Sequence, residues 1–236
     1  MVTPSGKDKK KEGIQLTRKK SEGSNLPFKA VSYLIFYLLL FLFILSFLLY
    51  FYSYISMFEA ELYITALFSL LLPASAFAYL AHTGRNINEA AHELGILQNL
   101  KLLKIISIGI LFFMLILLLE VGITLISEII NIRIATNACD AITGMPIWFI
   151  AFVSLIGPID EELFFRGFLV KRIGIVPSAA LFAVLHAGYG SSFGIDIIAA
   201  FIFGLVAGYI FKKTNSIYPS MLSHVLVNLI AVIGCI

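Results

Sequence analysis

Long uninterrupted apolar runs constrain the fold of this chain more than any other feature, and the first extends from about Phe28 to Phe51. A run of this length can cross the roughly 30 Å hydrocarbon core of a bilayer as one helix. Backbone groups in lipid have no water to bind, so only helices and closed barrels span membranes, and barrel strands would be short and alternating. Hydrophobic residues form 60% of the sequence and charged residues 13%. The sequence therefore predicts an all-α, polytopic transmembrane helix bundle.

The apolar runs predict about seven membrane spans, with eight as the upper number. Their approximate bounds are 28–51, 63–81, 105–126, 146–170, 176–186, 197–211 and 218–236. The polar segment 82–104 is expected to form an interfacial amphipathic helix. The chain is then divided into a disordered basic tail at 1–27, N-terminal transmembrane helices at 28–127, an extracytoplasmic loop at 128–145 and a C-terminal transmembrane core at 146–236.

Basic residues are concentrated on one side of the predicted bundle. Eight of the 17 Lys and Arg residues lie in the first 29 positions, and Lys171-Arg172 and Lys212-Lys213 fall on the same side. The opposite side carries Glu59 and Glu61 in a short predicted loop. The positive-inside rule places the N-terminus in the cytoplasm and the C-terminus outside, with the plasma membrane as the expected location. For the basic tail, attraction to anionic lipid is favoured over nucleic-acid binding.

Three charged residues interrupt the fourth predicted span: Glu161, Glu162 and Arg166. A charge at the centre of a membrane helix costs on the order of 2.5–3.5 kcal/mol on insertion scales. Glu162 and Arg166 are four residues apart on one helix face, so a structural ion pair is the favoured interpretation for them. Glu161 points about 100° away and has no charged residue at its own i+4 position. Glu161 is therefore the leading candidate for a chemical role.

Two histidines are predicted at a similar depth to Glu161. His186 ends the fifth span, and His224 is followed at i+4 by Asn228 in the last span. With a rise of ~1.5 Å per residue, Glu161, His186 and His224 lie roughly 9–15 Å from the cytoplasmic ends of their helices. A single histidine in a membrane helix is as often a hydrogen-bonded packing residue, but three polar groups at one level indicate a built site.

These groups could together hydrolyse an amide. Glu161 could act as a general base on water, while His224 and Asn228 donate hydrogen bonds to a developing oxyanion. No matching Ser-His-acid set is present. Zinc bound by Glu161, His186 and His224 is the alternative, although the sequence lacks a His-Glu-x-x-His pair, and the metal-free interpretation is favoured. The two cysteines, Cys139 and Cys235, give no sign of a disulfide framework.

Three motifs occur in order on the predicted membrane helices: Glu161-Glu162-x-x-x-Arg166, Phe182-x-x-x-His186 and His224-x-x-x-Asn228. Together they resemble the CAAX-protease and bacteriocin-processing (CPBP, or Abi) family of intramembrane endopeptidases, which includes the Rce-type CAAX prenyl proteases. Each motif alone is weak, whereas all three in order and in hydrophobic context are fairly specific. They cover about residues 146–232, and the first three spans add nothing diagnostic.

The resemblance implies a glutamate-type protease without a metal cofactor, whose catalytic core is 146–236. Glu161 would activate the water, His186 would help to position it, and His224 with Asn228 would stabilise the oxyanion. Glu162, Arg166 and the motif residue Phe182 would support the site. The resemblance also implies a cavity open to the cytoplasm and the membrane, and a lipidated or hydrophobic peptide as the partner, cleaved near the C-terminus of a prenylated tail in some members.

Two other functional classes remain open at this level. The first is a non-catalytic membrane scaffold or bacteriocin self-immunity protein with the same fold, for which Glu161→Gln should preserve the phenotype. The second is an ion or proton carrier that uses Glu161 and Glu120 and would show transport in liposomes. The sequence indicates neither the substrate's identity nor the oligomeric state.

Overall fold

The computed structural model describes residues 6–129, 138–186 and 195–235. Within this part of the chain all regular secondary structure is helical, which confirms the predicted all-α class. The α-helices are α1 (Gly6–Phe51), α2 (Met57–His82), α3 (Ile87–Glu93), α4 (Leu102–Ile129), α5 (Ala138–Gly144), α6 (Ile147–Ala151), α7 (Gly157–Glu161), α8 (Val170–Ile173), α9 (Ile175–Leu185), α10 (Ile195–Thr214) and α11 (Tyr218–Ile233). Two π-helical stretches, Phe152–Ile156 and Glu162–Leu169, join α6, α7 and α8 into one continuous run, called here the central helix (residues 147–173).

The helices have the length and composition of membrane spans. In the described chain, four segments are long and apolar enough to cross a bilayer: Phe28–Phe51, Met57–His82, Leu102–Ile126 and Ile197–Thr214. The shorter apolar helices α9 and α11 and the central helix complete the seven predicted apolar segments. Large apolar side chains such as Leu34 and Phe41 stay exposed along α1, as expected of a surface that faces lipid. The protein is therefore a multi-pass membrane protein.

Two helices begin earlier than the sequence predicts. The backbone of α1 is helical from Gly6, through the basic segment predicted to be disordered, and its apolar part begins at Phe28 as expected. The start of α2 is fixed by a capping box, in which the Glu59 amide donates to Ser56 Oγ at 3.1 Å and the Ser56 amide donates to Glu59 Oε2 at 3.0 Å. The positive end of the helix dipole favours an acidic residue in the first turn. The predicted loop around Glu59 and Glu61 is therefore helical.

Between the end of α2 at His82 and the start of α4 at Leu102, the predicted interfacial helix is reduced to the seven-residue helix α3. Asn86 caps α3, and Gly95, with φ of +80°, follows its last turn. Leu94 is fully buried, and its carbonyl lies so close to Gly167 that a Cβ at position 167 would be 2.6 Å from the oxygen. The segment is therefore packed against the end of the central helix.

Helix directions follow from a few close contacts. Tyr33 of α1 bonds His82 of α2 at 2.8 Å, so these two helices are antiparallel. α4 and α11 run in the same direction and meet where Gly109 faces Leu222. Gly204 of α10 lies against Ala179 of α9, and small residues of this kind let membrane helices approach closely.

Charged side chains gather where α2, α3 and the central helix end together. Glu93 accepts from Arg85 Nε at 3.0 Å and from Arg172 at 2.8 Å, and Lys171 donates to the Glu93 carbonyl. This end of the bundle is called the basic end, and six of its residues carry a positive charge: Arg85, Lys101, Lys171, Arg172, Lys212 and Lys213. The starts of α2 and of the central helix mark the opposite end, where Tyr63 stacks on Trp148.

A disulfide joins Cys139 of α5 to Cys235, which follows α11, with a Cα–Cα distance of 4.8 Å. The expectation that two cysteines form no disulfide framework is therefore corrected: the bond joins residues 96 positions apart, which only the tertiary structure brings together. The pair lies at the end of α11 away from the basic end. Residues 130–137 of the predicted loop 128–145 lie outside the described chain.

Candidate active site

The candidate site is built around a local irregularity of the central helix. Pro158 has no amide proton for the helical ladder, so a regular α-helix would be broken or kinked there. The chain instead stays helical, with π-helical turns at Phe152–Ile156 before the proline and at Glu162–Leu169 after it. π-helical turns within α-helices are frequent at functional sites. The helix therefore accommodates Pro158 by a change of pitch, and Glu161 and Glu162 follow it directly.

Glu161, His186 and His224 converge from three different helices. Glu161 Oε2 lies 3.7 Å from His224 Nε2 and 3.9 Å from His186 Nε2. These distances exceed a direct hydrogen bond, and they match a separation that one water molecule can bridge. The Glu161 side chain is 25% exposed, whereas His224 is largely buried at 7%. The structure thus brings together the three ionisable groups that the sequence placed at a common depth.

Each histidine is oriented by a bond from its other ring nitrogen. His224 Nδ1 lies 3.2 Å from Glu162 Oε1, and the carboxylate accepts a hydrogen bond from the ring N–H. His186 Nδ1 donates to the carbonyl of Phe182 at 2.8 Å. Both contacts fix the ring plane and direct the Nε2 atoms toward Glu161. Such support by a carboxylate or carbonyl is typical of histidines that must hold one orientation in a site.

Glu162 and Arg166 form a buried ion pair directly beneath this cluster. Arg166 Nη1 lies 3.0 Å from Glu162 Oε1, with the two side chains 1% and 0% exposed. The guanidinium also packs on two aromatic rings, at 4.2 Å from the Phe182 centroid and 5.3 Å from the Phe203 centroid. The Phe182 ring in turn contacts His186, with centroids 4.3 Å apart. The ion pair therefore contacts both histidines: Glu162 bonds His224 directly, and Arg166 reaches His186 through the ring of Phe182.

Asn228 lies beside the cluster on α11. Its amide donates to the carbonyl of Val153 in the π-helical turn at 2.9 Å. Since an asparagine amide has two N–H groups, this bond anchors the side chain and leaves it a second donor. Asn228 and His186 together line both of the cavities that meet at the site.

Two apolar cavities reach the cluster from different sides of the bundle. The α2 cavity has a volume of about 420 Å³, and its lining includes Thr65, Phe68, Leu72, Val153, Glu161 and His186. The α4 cavity has a volume of about 370 Å³, and its lining includes Ile116, Glu120, Phe182, His186, Phe203 and Asn228. Sequence reasoning missed the contributions of α2 and α4 because, apart from Glu120, their apolar lining residues do not differ along the chain from lipid-facing ones.

The same residues could hold a metal ion. One donor atom each from Glu161, His186 and His224 lies within 4.8 Å of the others. Two imidazoles and a carboxylate, with both outer ring nitrogens supported, suit zinc with an open fourth position. A zinc ion bound there would supply Lewis-acid activation of a water molecule. The donor set therefore fits the alternative that the sequence analysis kept open.

Two other acidic residues of the membrane-spanning helices, Asp160 and Glu120, lie outside this cluster. Asp160 is buried and accepts a hydrogen bond from Ser69 of α2 at 3.2 Å. Glu120 lines the α4 cavity. Neither belongs to the cluster formed by Glu161, His186 and His224.

The fold and the site define a polytopic membrane protein with a carboxylate and two histidines held at the meeting point of apolar cavities. Comparison with known proteins agrees with this class. Residues 143–230 match the family model of the Rce1-like type II CAAX prenyl endopeptidases. The family resemblance drawn from the motifs is thereby confirmed over this segment, and that family is one of intramembrane proteases.

Comparison with a curated relative and with solved structures gives less information about function than the family match. The chain is 31% identical over 86 residues to the uncharacterized protein YpbD of Bacillus subtilis (strain 168). The match covers 36% of this chain and 44% of YpbD, so the chain spans less than half the length of that relative. No solved structure matches the chain significantly.

Proposed function

We propose that this protein is an intramembrane endopeptidase that hydrolyses a peptide bond with water activated by Glu161. The observation that carries the proposal is the position of Glu161 Oε2, 3.7 and 3.9 Å from two oriented histidine nitrogens, where two apolar cavities meet. The gap between Glu161 and the two histidines can hold one water molecule, and the α2 cavity beside Glu161 offers space for a hydrophobic chain. The Rce1-like match over residues 143–230 supports the same reaction class.

In the proposed reaction, Glu161 accepts a proton from a water molecule that His186 helps to position. The water oxygen attacks the carbonyl carbon, and the carbonyl becomes an oxyanion in the tetrahedral intermediate. Donors aimed at such an oxyanion are commonly worth about 2.7–4 kcal/mol each. Collapse of the intermediate breaks the carbon–nitrogen bond, and the proton held by Glu161 passes to the leaving amine.

The oxyanion donors would be the second N–H of Asn228 and a protonated Nε2 of His224. Nδ1 of His224 donates a hydrogen bond to Glu162 and so carries a proton. A second proton on Nε2 would make the ring an imidazolium held between the carboxylates of Glu162 and Glu161. The role of Glu162 in this scheme is to stabilise that cation and fix its orientation. Arg166 keeps Glu162 ionised in a setting where an unpaired carboxylate would be costly.

The proposed substrate is a hydrophobic or lipidated peptide in the cell membrane, with a prenylated CAAX-type tail as the first member of this class to test. Apolar side chains line both cavities, so a polar peptide would lose hydration without gaining partners. The metal-free mechanism is the one proposed, and zinc on Glu161, His186 and His224 is the alternative for the same reaction. A non-catalytic scaffold or self-immunity protein is the alternative from another class.

The test is cleavage of a fluorogenic prenylated CAAX peptide by the purified protein in detergent, with and without a strong chelator. We expect cleavage that Glu161→Ala abolishes and that the chelator leaves unchanged. Loss of cleavage on chelation, with recovery on adding zinc, would replace the metal-free mechanism by the zinc alternative. If the folded wild type cleaves neither this peptide nor unprenylated hydrophobic peptides, the scaffold alternative is favoured.

A further inference from the structure

The two cavities occupy the half of the bundle that lies away from the basic end. α4 runs from Leu102 at the basic end to Ile129, and its cavity-lining residues fall between Ile116 and Ile123, in the distant half. The lining residues of α10 lie between Ala199 and Phe203, in the half that begins at Ile195. On α2 they lie between Ile64 and Leu72, from the distant half to just past the middle. Both cavities therefore extend from the site toward the opposite end.

The site is closed on its basic-end side by packed side chains. Glu162, Ser220, Phe165 and Arg166 are 0–1% exposed and lie next to Glu161 on that side. Further toward the basic end, the Leu94 carbonyl rests against Gly167, and fully buried Phe211 and Ile217 complete the layer. These buried side chains therefore cover Glu161 on the basic-end side.

Two independent observations indicate which side of the membrane the opposite end faces. Six Lys and Arg residues mark the basic end as cytoplasmic by the positive-inside rule. The Cys139–Cys235 disulfide lies at the other end, and such bonds persist in oxidising, extracytoplasmic surroundings. The charge distribution and the disulfide thus assign the same orientation.

We propose that the site is reached from the extracytoplasmic half of the membrane, and that its substrate is an apolar peptide segment located in the outer leaflet. This inference rests on the proposed function and specifies its substrate. The family resemblance predicts access from the cytoplasm, whereas the positions of both cavities favour the opposite side. The cavities meet at His186 and Asn228, so apolar side chains on both sides of the cleaved bond have a place to bind.

The test of the access side is cysteine labelling, which needs no catalysis. Val153→Cys reports on the α2 cavity and Ala199→Cys on the α4 cavity. The native cysteines are held in the disulfide, so a thiol reagent finds only the introduced residue. A charged, membrane-impermeant maleimide is added to intact spheroplasts and to inside-out vesicles. We expect both cavity cysteines to react at least tenfold faster in spheroplasts.

Two control variants calibrate this labelling. Asn99→Cys, exposed at the basic end, should react only in inside-out vesicles. Ser223→Cys, fully buried on the closed side of the site, should react in neither preparation until the protein is denatured. The proposal is overturned if the cavity cysteines react faster in inside-out vesicles, or if they react in neither while Asn99→Cys reacts normally. Reaction of Asn99→Cys in spheroplasts would overturn the assigned orientation.

Cleavage of an apolar fluorogenic peptide with a charged, impermeant tag then separates this inference from the proposed function. Cleavage of peptide added only to the outside of spheroplasts supports both. Outside labelling of the cavity cysteines with no cleavage from either side keeps the access side and counts against the peptidase. Cleavage only in inside-out vesicles supports the peptidase and overturns the access side.

Discussion

Replacing Arg166 with methionine should destabilise the folded protein far more than replacing Glu161 with glutamine. Arg166 and Glu162 are 1% and 0% exposed, so the arginine's removal leaves an ionised carboxylate buried without its partner. Breaking a buried pair in this way costs about 3–5 kcal/mol. For a chain of this size, each kcal/mol corresponds to roughly 2–4 °C in melting temperature, so Arg166→Met should lower it by roughly 6–20 °C.

Glu161 has a different structural role. Its carboxylate is 25% exposed and lies 3.7 Å or more from the nearest histidine nitrogen, so Glu161→Gln removes no short bond. We expect its melting temperature to stay within about 2 °C of the wild type, a shift below about 1 kcal/mol. The double variant Glu162→Gln/Arg166→Met carries no buried charge from the pair. It should recover most of the loss seen in Arg166→Met.

The assay is thermal unfolding in detergent, followed by the fluorescence of Trp148, the only tryptophan. This residue stacks on Tyr63 near the first residue of the central helix, so its emission reports on the packing of that helix against α2. Melting of Arg166→Met within 2 °C of the wild type would refute the reasoning. So would a double variant that is no more stable than the single one, because the cost would then come from lost packing.

Two further predictions concern the basic end. Gly167→Ala should lower the stability of the folded protein by about 1–3 kcal/mol, because the new Cβ would be 2.6 Å from the Leu94 carbonyl oxygen. The control Gly122→Ala should change little, because a Cβ there has nothing within 4 Å. Equal melting temperatures for the two variants would contradict this prediction. Partial burial alone would raise the pKa of the Glu93 carboxyl, but hydrogen bonds and charges from Arg85 and Arg172 hold the pKa below its usual value. Since the pKa is lower in the folded than in the unfolded state, the stabilisation is complete above the unfolded value of about 4.3 and is lost as pH falls through the folded pKa. Glu93→Gln should therefore lower the stability at neutral pH by less than about 1 kcal/mol, because solvent screens these partly exposed ion pairs. The difference in melting temperature from the wild type should vanish at low pH, and a difference that grows on acidification would contradict the assignment.

Local patterns predicted the parts of this structure that depend on neighbours in the chain. Glu162 and Arg166 pair because four residues bring two side chains to one helix face, even across the π-helical turn. The start of α2 could also have been read from Ser56-x-x-Glu59, which is a capping-box pattern. The end of the first apolar run predicts a loop at Glu59 and Glu61, whereas the cap starts the helix before them.

The parts that depend on tertiary arrangement were less predictable. Helical rise gives depth only, so the sequence could place Glu161 and the two histidines at one level but could not show that their helices are neighbours. The Cys139–Cys235 bond depends on how α5 meets the end of α11. The π-helical turns and the two cavities arise from packing between helices whose apolar residues look alike in sequence. The proposed side of access to the site therefore rests on the structure and not on the motifs.

The most direct measurement of the central claim is the rate of peptide cleavage by Glu161→Gln beside that of Glu61→Gln, an exposed acid of α2 outside both cavities. General-base catalysis typically contributes about 10²–10⁴-fold in rate. The account predicts a loss of at least about 10²-fold for Glu161→Gln at an unchanged melting temperature, and a wild-type rate for Glu61→Gln. A Glu161→Gln protein that is folded and cleaves within a few-fold of the wild type would contradict the assignment of Glu161 as the group that activates water.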